Sequence, residues 1–296
     1  MKTAYEKELN FNGFYIKSFI KSVDLPYILF VNGGPGMSSA LLENVIKKKD
    51  IFSSLKYNLI IYDQRSCGKS FKSTTSVLHQ DNVNDLNLIY QFLVSQPDIK
   101  IKSMIGHSYG AKLLIDCETQ YSSGLPLIFT ATANSILTPR INNLLIDLAY
   151  IKQINREKYD KLLARFNKFN SELLWEITDE LADIFSKNPS RPYYYWANMQ
   201  CFDEIENIKK EIHYSINSAV FKSVRNDLYT NEKNCSVDLG KLGPDKYLLI
   251  NGFHDLIMCG HQTKEAKNHL IYMRSAHYPH IEENLRFCED VNVFLE

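Results

Sequence analysis

The residues with the clearest chemical potential form Gly106-x-Ser108-x-Gly110. A serine between glycines two residues away on each side fits a sharp turn that lifts its hydroxyl clear of the backbone, as acyl transfer to a serine oxygen requires. Such chemistry also needs a base, an acid to orient it, and backbone N–H groups aimed at the oxyanion. The amide of Tyr109, next after the serine, is the expected first N–H donor. Asn32-Gly33-Gly34-Pro35-Gly36 is a glycine loop able to approach a ligand closely, and so provides a candidate second donor. The order nucleophile, acid, histidine points to Asp255 in Asn251-Gly252-Phe253-His254-Asp255, and to His277 in Ser275-Ala276-His277-Tyr278-Pro279-His280. Asp245 precedes its strand and falls at the wrong edge. His280 is the alternative base, expected to open a helix and point away. His107 neighbours the serine, but its side chain is expected on the other side of the turn.

These positions make sense only if strands and helices place them. Tyr27 to Val31 is a continuous apolar run stopped by the glycine loop, and Tyr57 to Tyr62 repeats the pattern. Ile101 to Ile105 runs into the serine turn, followed by a helical pattern at Ala111, Leu114, Ile115 and Glu118. Leu125 to Ala131 gives a further buried strand. Between these runs, Ser39 to Lys49 reads as a short helix, and Val83, Leu86, Ile89, Tyr90 and Leu93 form one apolar helix stripe. The alternation implies an α/β fold with a mostly parallel central sheet covered by helices on both faces.

From about residue 138 to 235 the strand rhythm stops. Ile141 to Tyr159 and Ser171 to Phe185 look helical, and both tryptophans, Trp175 and Trp196, lie here. Strands resume at Tyr247 to Ile250 and Leu270 to Met273. A last helix carries Ile281, Leu285, Cys288, Val291 and Leu295 on one face. The expected organisation is an α/β core in two parts, 1–137 and 236–296, interrupted by a helical cap at 138–235.

Composition narrows the class. Lys plus Arg equal Asp plus Glu at 34 each, which gives no global field for nucleic acid or acidic membranes. The first residues lack the apolar region of a signal peptide, and no apolar run approaches a membrane span of ~18 residues. Cys67, Cys117, Cys201, Cys235, Cys259 and Cys288 form no paired motif, so reduced thiols and a cytoplasmic location are expected, with neither a zinc site nor a redox motif.

The loop Asn32 to Gly36, Asp63-Gln64-Arg65-Ser66-Cys67-Gly68-Lys69-Ser70, Gly106 to Gly110, Asp255 and His277-Tyr278-Pro279-His280-Ile281-Glu282 together resemble the proline iminopeptidases, which are α/β-hydrolases with a helical cap after the sixth strand. The likeness in order and spacing covers nearly the whole chain. It implies a cofactor-independent serine hydrolase that releases N-terminal residues from small peptides or aminoacyl amides, with Gly34 and Tyr109 as oxyanion donors. Asn32 stands where the family has His, Ser66 where it has Gly, and Ala276 where Gly precedes the histidine. The usual cap acid for the substrate amine is not evident. Glu204 is one candidate and Glu176 another, although solvated helix charges account for both. Tyr195 and Trp196, in the run Tyr193 to Trp196, would line a substrate pocket or pack the cap onto the core. Arg191 and the stretch Glu204 to Glu211 read as ordinary surface. Two other readings compete: an esterase, lactonase or amidase acting on a metabolite without a free amine, and a non-catalytic binding protein. The expected partner is a small molecule or short peptide.

Overall fold

Asn12-Gly13 is a two-residue turn with both residues at positive φ (50° and 80°), the conformation that joins twisted strands. It links β1 (Tyr5–Phe11) to β2 (Phe14–Ile20) in an antiparallel hairpin at one edge of the sheet. This hairpin is absent from the sequence expectation, although Asn-Gly is the strongest local hairpin signal. The computed structural model describes residues 5–73, 75–133, 135, 137–166, 176–178, 180–181, 187–230, 237–258 and 267–296.

The chain then alternates: β3 (Tyr27–Val31), α1 (Ala40–Lys49), β4 (Asn58–Tyr62), α2 (His79–Ser95), β5 (Ile101–His107), α3 (Tyr109–Tyr121) and β6 (Leu127–Thr130). Between β6 and β7 (Tyr247–Gly252) come α4 (Leu137–Ile154), α5 (Arg156–Phe166), α6 (Pro192–Tyr195), α7 (Met199–Glu211) and α8 (Ser218–Thr230). The chain ends with β8 (His269–Tyr272), α9 (Pro279–Glu282) and α10 (Asn284–Leu295). The described strands form one eight-stranded sheet in the order β1-β2-β4-β3-β5-β6-β7-β8, parallel from β4 to β8.

Strand side chains alternate between faces, so each buried strand feeds two cores. Leu29, Val31, Ile60, Phe129 and Leu249 pack under α2, α3 and Val220, Val224 and Leu228 of α8. Ile28, Phe30, Ile61, Ile128 and Ile250 pack against α1, α10 and Cys201, Ile205 and Ile208 of α7. Burial of each such aliphatic or aromatic side chain contributes about 1.5–3 kcal/mol before entropy is charged against it. The helices α7 and α8 are therefore part of the main cores. A separate small core of Leu144, Leu148, Ile151, Leu162, Ile177 and Leu181 joins α4 to α5.

Three details depart from expectation. The single helix expected over Ile141 to Tyr159 is two, α4 and α5, divided at Asn155. Most of the stretch expected from Ser171 to Phe185 lies outside the described residues, as do Trp175, Cys235 and Cys259. Leu285 is 65% exposed, because Glu283 leaves helical geometry between α9 and α10 (φ −120°, ψ 46°) and resets the face; Phe287 takes the buried place. Cys67, Cys117, Cys201 and Cys288 are buried free thiols. No described helix is long and apolar enough to cross a membrane.

Candidate active site

β5 and α3 meet with no linker except Ser108, which adopts φ 53°, ψ −118°, a conformation that costs a non-glycine residue free energy. Its surroundings hold it there. Ser108 N–H donates to the Thr130 carbonyl at 2.9 Å, and its own carbonyl accepts from Ala111 N–H at 3.0 Å. The flanking glycines are required by close approach. A Cβ at Gly106 would lie 2.6 Å from the Ala111 Cα, and one at Gly110 would run into the Val31 carbonyl.

The loop after β3 lies against this turn: a Cβ on Gly33 would lie 3.0 Å from that of Ser108. Gly34 has φ 58°, where a side chain would also press on Met37 Sδ at 2.5 Å. Tyr109 is the first residue of α3, so its N–H has no intrahelical acceptor. Two backbone amides, those of Gly34 and Tyr109, thus belong to the two segments that meet at the serine.

Asp255 follows β7 and His277 follows β8, at the same carboxyl end of the sheet. Asp255 is 3% exposed and His277 4% exposed. The Asp255 Oδ1 accepts from the N–H groups of Ile257 (2.9 Å) and Met258 (3.0 Å), which leaves Oδ2 for His277 Nδ1 at 2.9 Å. The proton must sit on Nδ1, because a carboxylate can only accept, and Nε2 is left as the basic nitrogen. The ring of His277 meets that of His107, the residue before the serine, with centroids 5.0 Å apart. The backbone N–H of His277 donates to the Tyr195 carbonyl at 3.0 Å, and the Tyr195 ring stands edge-on to the imidazole at 5.4 Å.

No family model and no curated protein matches this sequence. Solved structures do. A proline iminopeptidase-related protein from Thermus thermophilus superposes with a TM-score of 0.65 at 14% identity, over 98% of this chain and 97% of that one. The proline iminopeptidase of Mycobacterium smegmatis gives 0.59 at 17% identity over 98% and 97%. An esterase from Exiguobacterium antarcticum gives 0.58 at 14% identity over 95% of each chain. The chain has the α/β-hydrolase fold.

Within this fold Asp245 pairs with Lys267 on the surface, away from the carboxyl edge. His280 lies in the first turn of α9 and its ring turns inward onto Phe30, Phe52 and Phe287. Burial, reinforced by His277, pushes His280 down to about 3. His107 lies buried against the ring of His277, with Nδ1 2.9 Å from Thr130 Oγ1. Burial, then His280 and His277, holds His107 well below the ordinary value, so both supporting rings are neutral.

Trp196 is buried and stacks on Tyr278 at 4.4 Å, so it packs the cap segment onto the core. Tyr195 is the member of the aromatic run that touches the histidine. Glu204 is a correction: its carboxylate pairs with Lys49, at the end of α1 remote from the serine edge. Glu176 pairs with Arg165 at 3.4 Å on an exposed face. Arg191, read as ordinary surface, instead reaches the buried Asp147 at 3.5 Å. Asn188 and Tyr194 donate to the same carboxylate.

Sequence reasoning expected a helix here but missed the polar residues that α4 turns inward. Arg140, Asn143 and Asp147 recur at three- and four-residue spacing, a polar stripe on a face that packs inward. Asn142 Nδ2 donates to the Ile257 carbonyl at 2.9 Å, which ties α4 to the Asp255 loop. Burial pushes Arg140 down to about 10, and Arg225 and Arg191 act in the same direction. Among the described residues, no group of three or more His, Cys, Asp or Glu is arranged to hold a metal.

Proposed function

We propose that this protein is a serine hydrolase that cleaves esters or amides of small molecules through an acyl-enzyme at Ser108. The observation that carries the reading is the buried Asp255–His277 contact, directed Oδ2 to Nδ1 at 2.9 Å, beside the strained serine turn. In this mechanism His277 Nε2 takes the Ser108 proton as the oxygen attacks the carbonyl carbon. The same proton then passes to the leaving group. Asp255 keeps the imidazole in the required tautomer and stabilises its charged form. The amides of Tyr109 and Gly34 receive the oxyanion. Water, deprotonated by His277, releases the acyl group and restores the serine.

Among the described residues, the cap acids considered for a free amine are engaged elsewhere, which supports a substrate without one. Recognition of an N-terminal ammonium requires an unengaged carboxylate near the serine. Glu204 and Glu176 are occupied by Lys49 and Arg165. The buried Asp147 is bound by Asn188, Tyr194 and Arg191. The hydroxyl of the partly buried Tyr195 lies within the electrostatic reach of Arg191 and Arg140. Aminopeptidase activity is the second reading, supported by the motif order and by the iminopeptidase folds described above.

The test is a fluorophosphonate probe together with a panel of p-nitrophenyl esters and aminoacyl p-nitroanilides. Wild type should label and Ser108→Ala should not, with ester turnover falling at least about 10³-fold. Labelling that persists in Ser108→Ala would sink the serine assignment. Turnover confined to aminoacyl anilides would replace the first reading with the second.

A further inference from the structure

A second histidine–carboxylate pair lies behind the serine turn, outside the residues assigned so far. His79 opens α2, and its Nε2 is 2.7 Å from Asp116 Oδ2 on α3. Its Nδ1 is 3.1 Å from the Tyr109 hydroxyl, and Asn82 Nδ2 donates to that same hydroxyl at 3.0 Å. The Lys112 ammonium also binds Asp116 Oδ2. His79, Asn82, Tyr109 and Lys112 are all buried.

The donors and acceptors fit a directed chain from Asn82 to Asp116. The Asn82 amide nitrogen donates to the Tyr109 oxygen, which leaves the Tyr109 O–H available to donate to His79 Nδ1. In this direction His79 accepts at Nδ1 and donates its Nε2–H to the Asp116 carboxylate. Burial raises the Tyr109 hydroxyl above its ordinary value and keeps it a donor. The tautomer is the mirror of the one at His277, where Nδ1 carries the proton.

Tyr109 is the residue that needs such an anchor. It follows the strained Ser108, and as the first helical residue its amide has no i−4 acceptor to set its direction. An oxyanion donor has to be aimed within a few tenths of an ångström, at ~2.7–3.1 Å from the oxyanion. A ring fixed at its far end by two hydrogen bonds limits the rotation of the residue that bears the amide. His79 is itself tied to α8, through its backbone N–H to Asp227 Oδ2 at 2.8 Å.

We propose that His79 and Asp116 are positioning residues that act through the Tyr109 hydroxyl to aim the Tyr109 amide at the oxyanion. The proposal rests on the serine-hydrolase reading and deepens it. The experiment measures kcat and KM for p-nitrophenyl butyrate in Tyr109→Phe, His79→Gln, His79→Asn and the Tyr109→Phe/His79→Gln double variant. Fluorophosphonate labelling of Ser108 is run in parallel. Tyr109→Phe deletes a single oxygen and leaves the packing in place. His79→Gln preserves a donor toward Asp116 but removes the acceptor for Tyr109, whereas His79→Asn keeps an acceptor near the Nδ1 position. Tyr109→Phe and His79→Gln should each lower kcat about 10-fold with KM within about 2-fold, since aim affects the transition state more than ground-state binding. The double variant should be no slower than either single variant, and His79→Asn should recover most of the loss. Unchanged kcat in Tyr109→Phe, or effects that multiply in the double variant, would overturn the positioning role. A wild type that neither labels nor turns over the ester would remove the underlying reading instead.

Discussion

Two histidine–aspartate pairs, each with a buried imidazole, flank the same turn, and they differ in what the free imidazole nitrogen meets. At His277 the aspartate holds Nδ1, and Nε2 is left at the carboxyl edge of the sheet. At His79 the aspartate holds Nε2, and Nδ1 is consumed by a tyrosine hydroxyl inside the core. The first carboxylate is otherwise satisfied by backbone N–H groups, the second by the Lys112 ammonium. Identical side-chain pairs therefore serve as base or as brace according to which nitrogen is engaged and where the other one points.

The sharpest way to break the comparison is to neutralise each carboxylate without changing its shape. Asp255→Asn turns an amide N–H toward His277 Nδ1 and forces the wrong tautomer. Ester turnover should fall about 10³–10⁴-fold while circular dichroism remains native. A loss under 10-fold would make the two pairs equivalent and remove the distinction.

Asp116→Asn should lower kcat about 10-fold and cost about 2 kcal/mol of stability, because it leaves Lys112 buried without a counter-charge. Burial raises the Asp116 carboxyl, but His79 and Lys112 outweigh it and hold the group below its ordinary value. A carboxyl depressed in the folded state stabilises at pH above its unfolded value, and that stability is lost as pH falls through the folded value. Urea midpoints at pH 7 and at about pH 3.5 should therefore show the wild-type advantage over Asp116→Asn shrinking in acid. An advantage that grows in acid would reverse the charge assignment.

His280 sharpens the contrast from the packing side. Its pKa is about 3 in the folded protein against an ordinary value of 6.5, so the unfolded chain binds the extra proton first. The stability this neutral ring contributes is present above pH 6.5 and is lost between there and about 3. His280→Phe should flatten the acid slope of stability by as much as about 1.4 kcal/mol per pH unit, read from urea midpoints at pH 7, 6 and 5. An unchanged slope would show that the ring is not held neutral.

The smallest effect is expected at Glu204. Its ion pair with Lys49 is partly exposed, so Glu204→Gln should change stability by less than about 1 kcal/mol. Its kcat/KM on aminoacyl p-nitroanilides should stay within about 2-fold of wild type, since a surface ion pair makes no transition-state contact. A selective rise in KM for those substrates alone would return Glu204 to the role of amine ligand.

Legibility in the sequence followed the range of the interactions. Parallel strands such as Tyr27–Val31 are buried on both faces and read as unbroken apolar runs. The N-terminal hairpin was passed over because β1 is an exposed edge strand with a polar run, Tyr5 to Asn10, despite its Asn-Gly turn. In the cap, Trp196 offers the same letter whether it lines a pocket or stacks on Tyr278; a contact across more than eighty positions decided between them. Glu204 likewise reads as any helix-face acid until α7 is docked beside α1 and Lys49 claims it.

The amino-acid sequence by itself determined the serine turn, the glycine loop, and the order in which Ser108, Asp255 and His277 arrive. Those features depend on backbone geometry and on strand ends, both written locally in residue type. Only the tertiary structure decided that His107 lies under His277, that Arg191 reaches Asp147, and that His79, Asp116 and Tyr109 form one directed chain. The physical reason is that hydrogen bonding and burial are properties of neighbours in space. His79 and His277 are the same residue type, and only packing assigns each of them its tautomer.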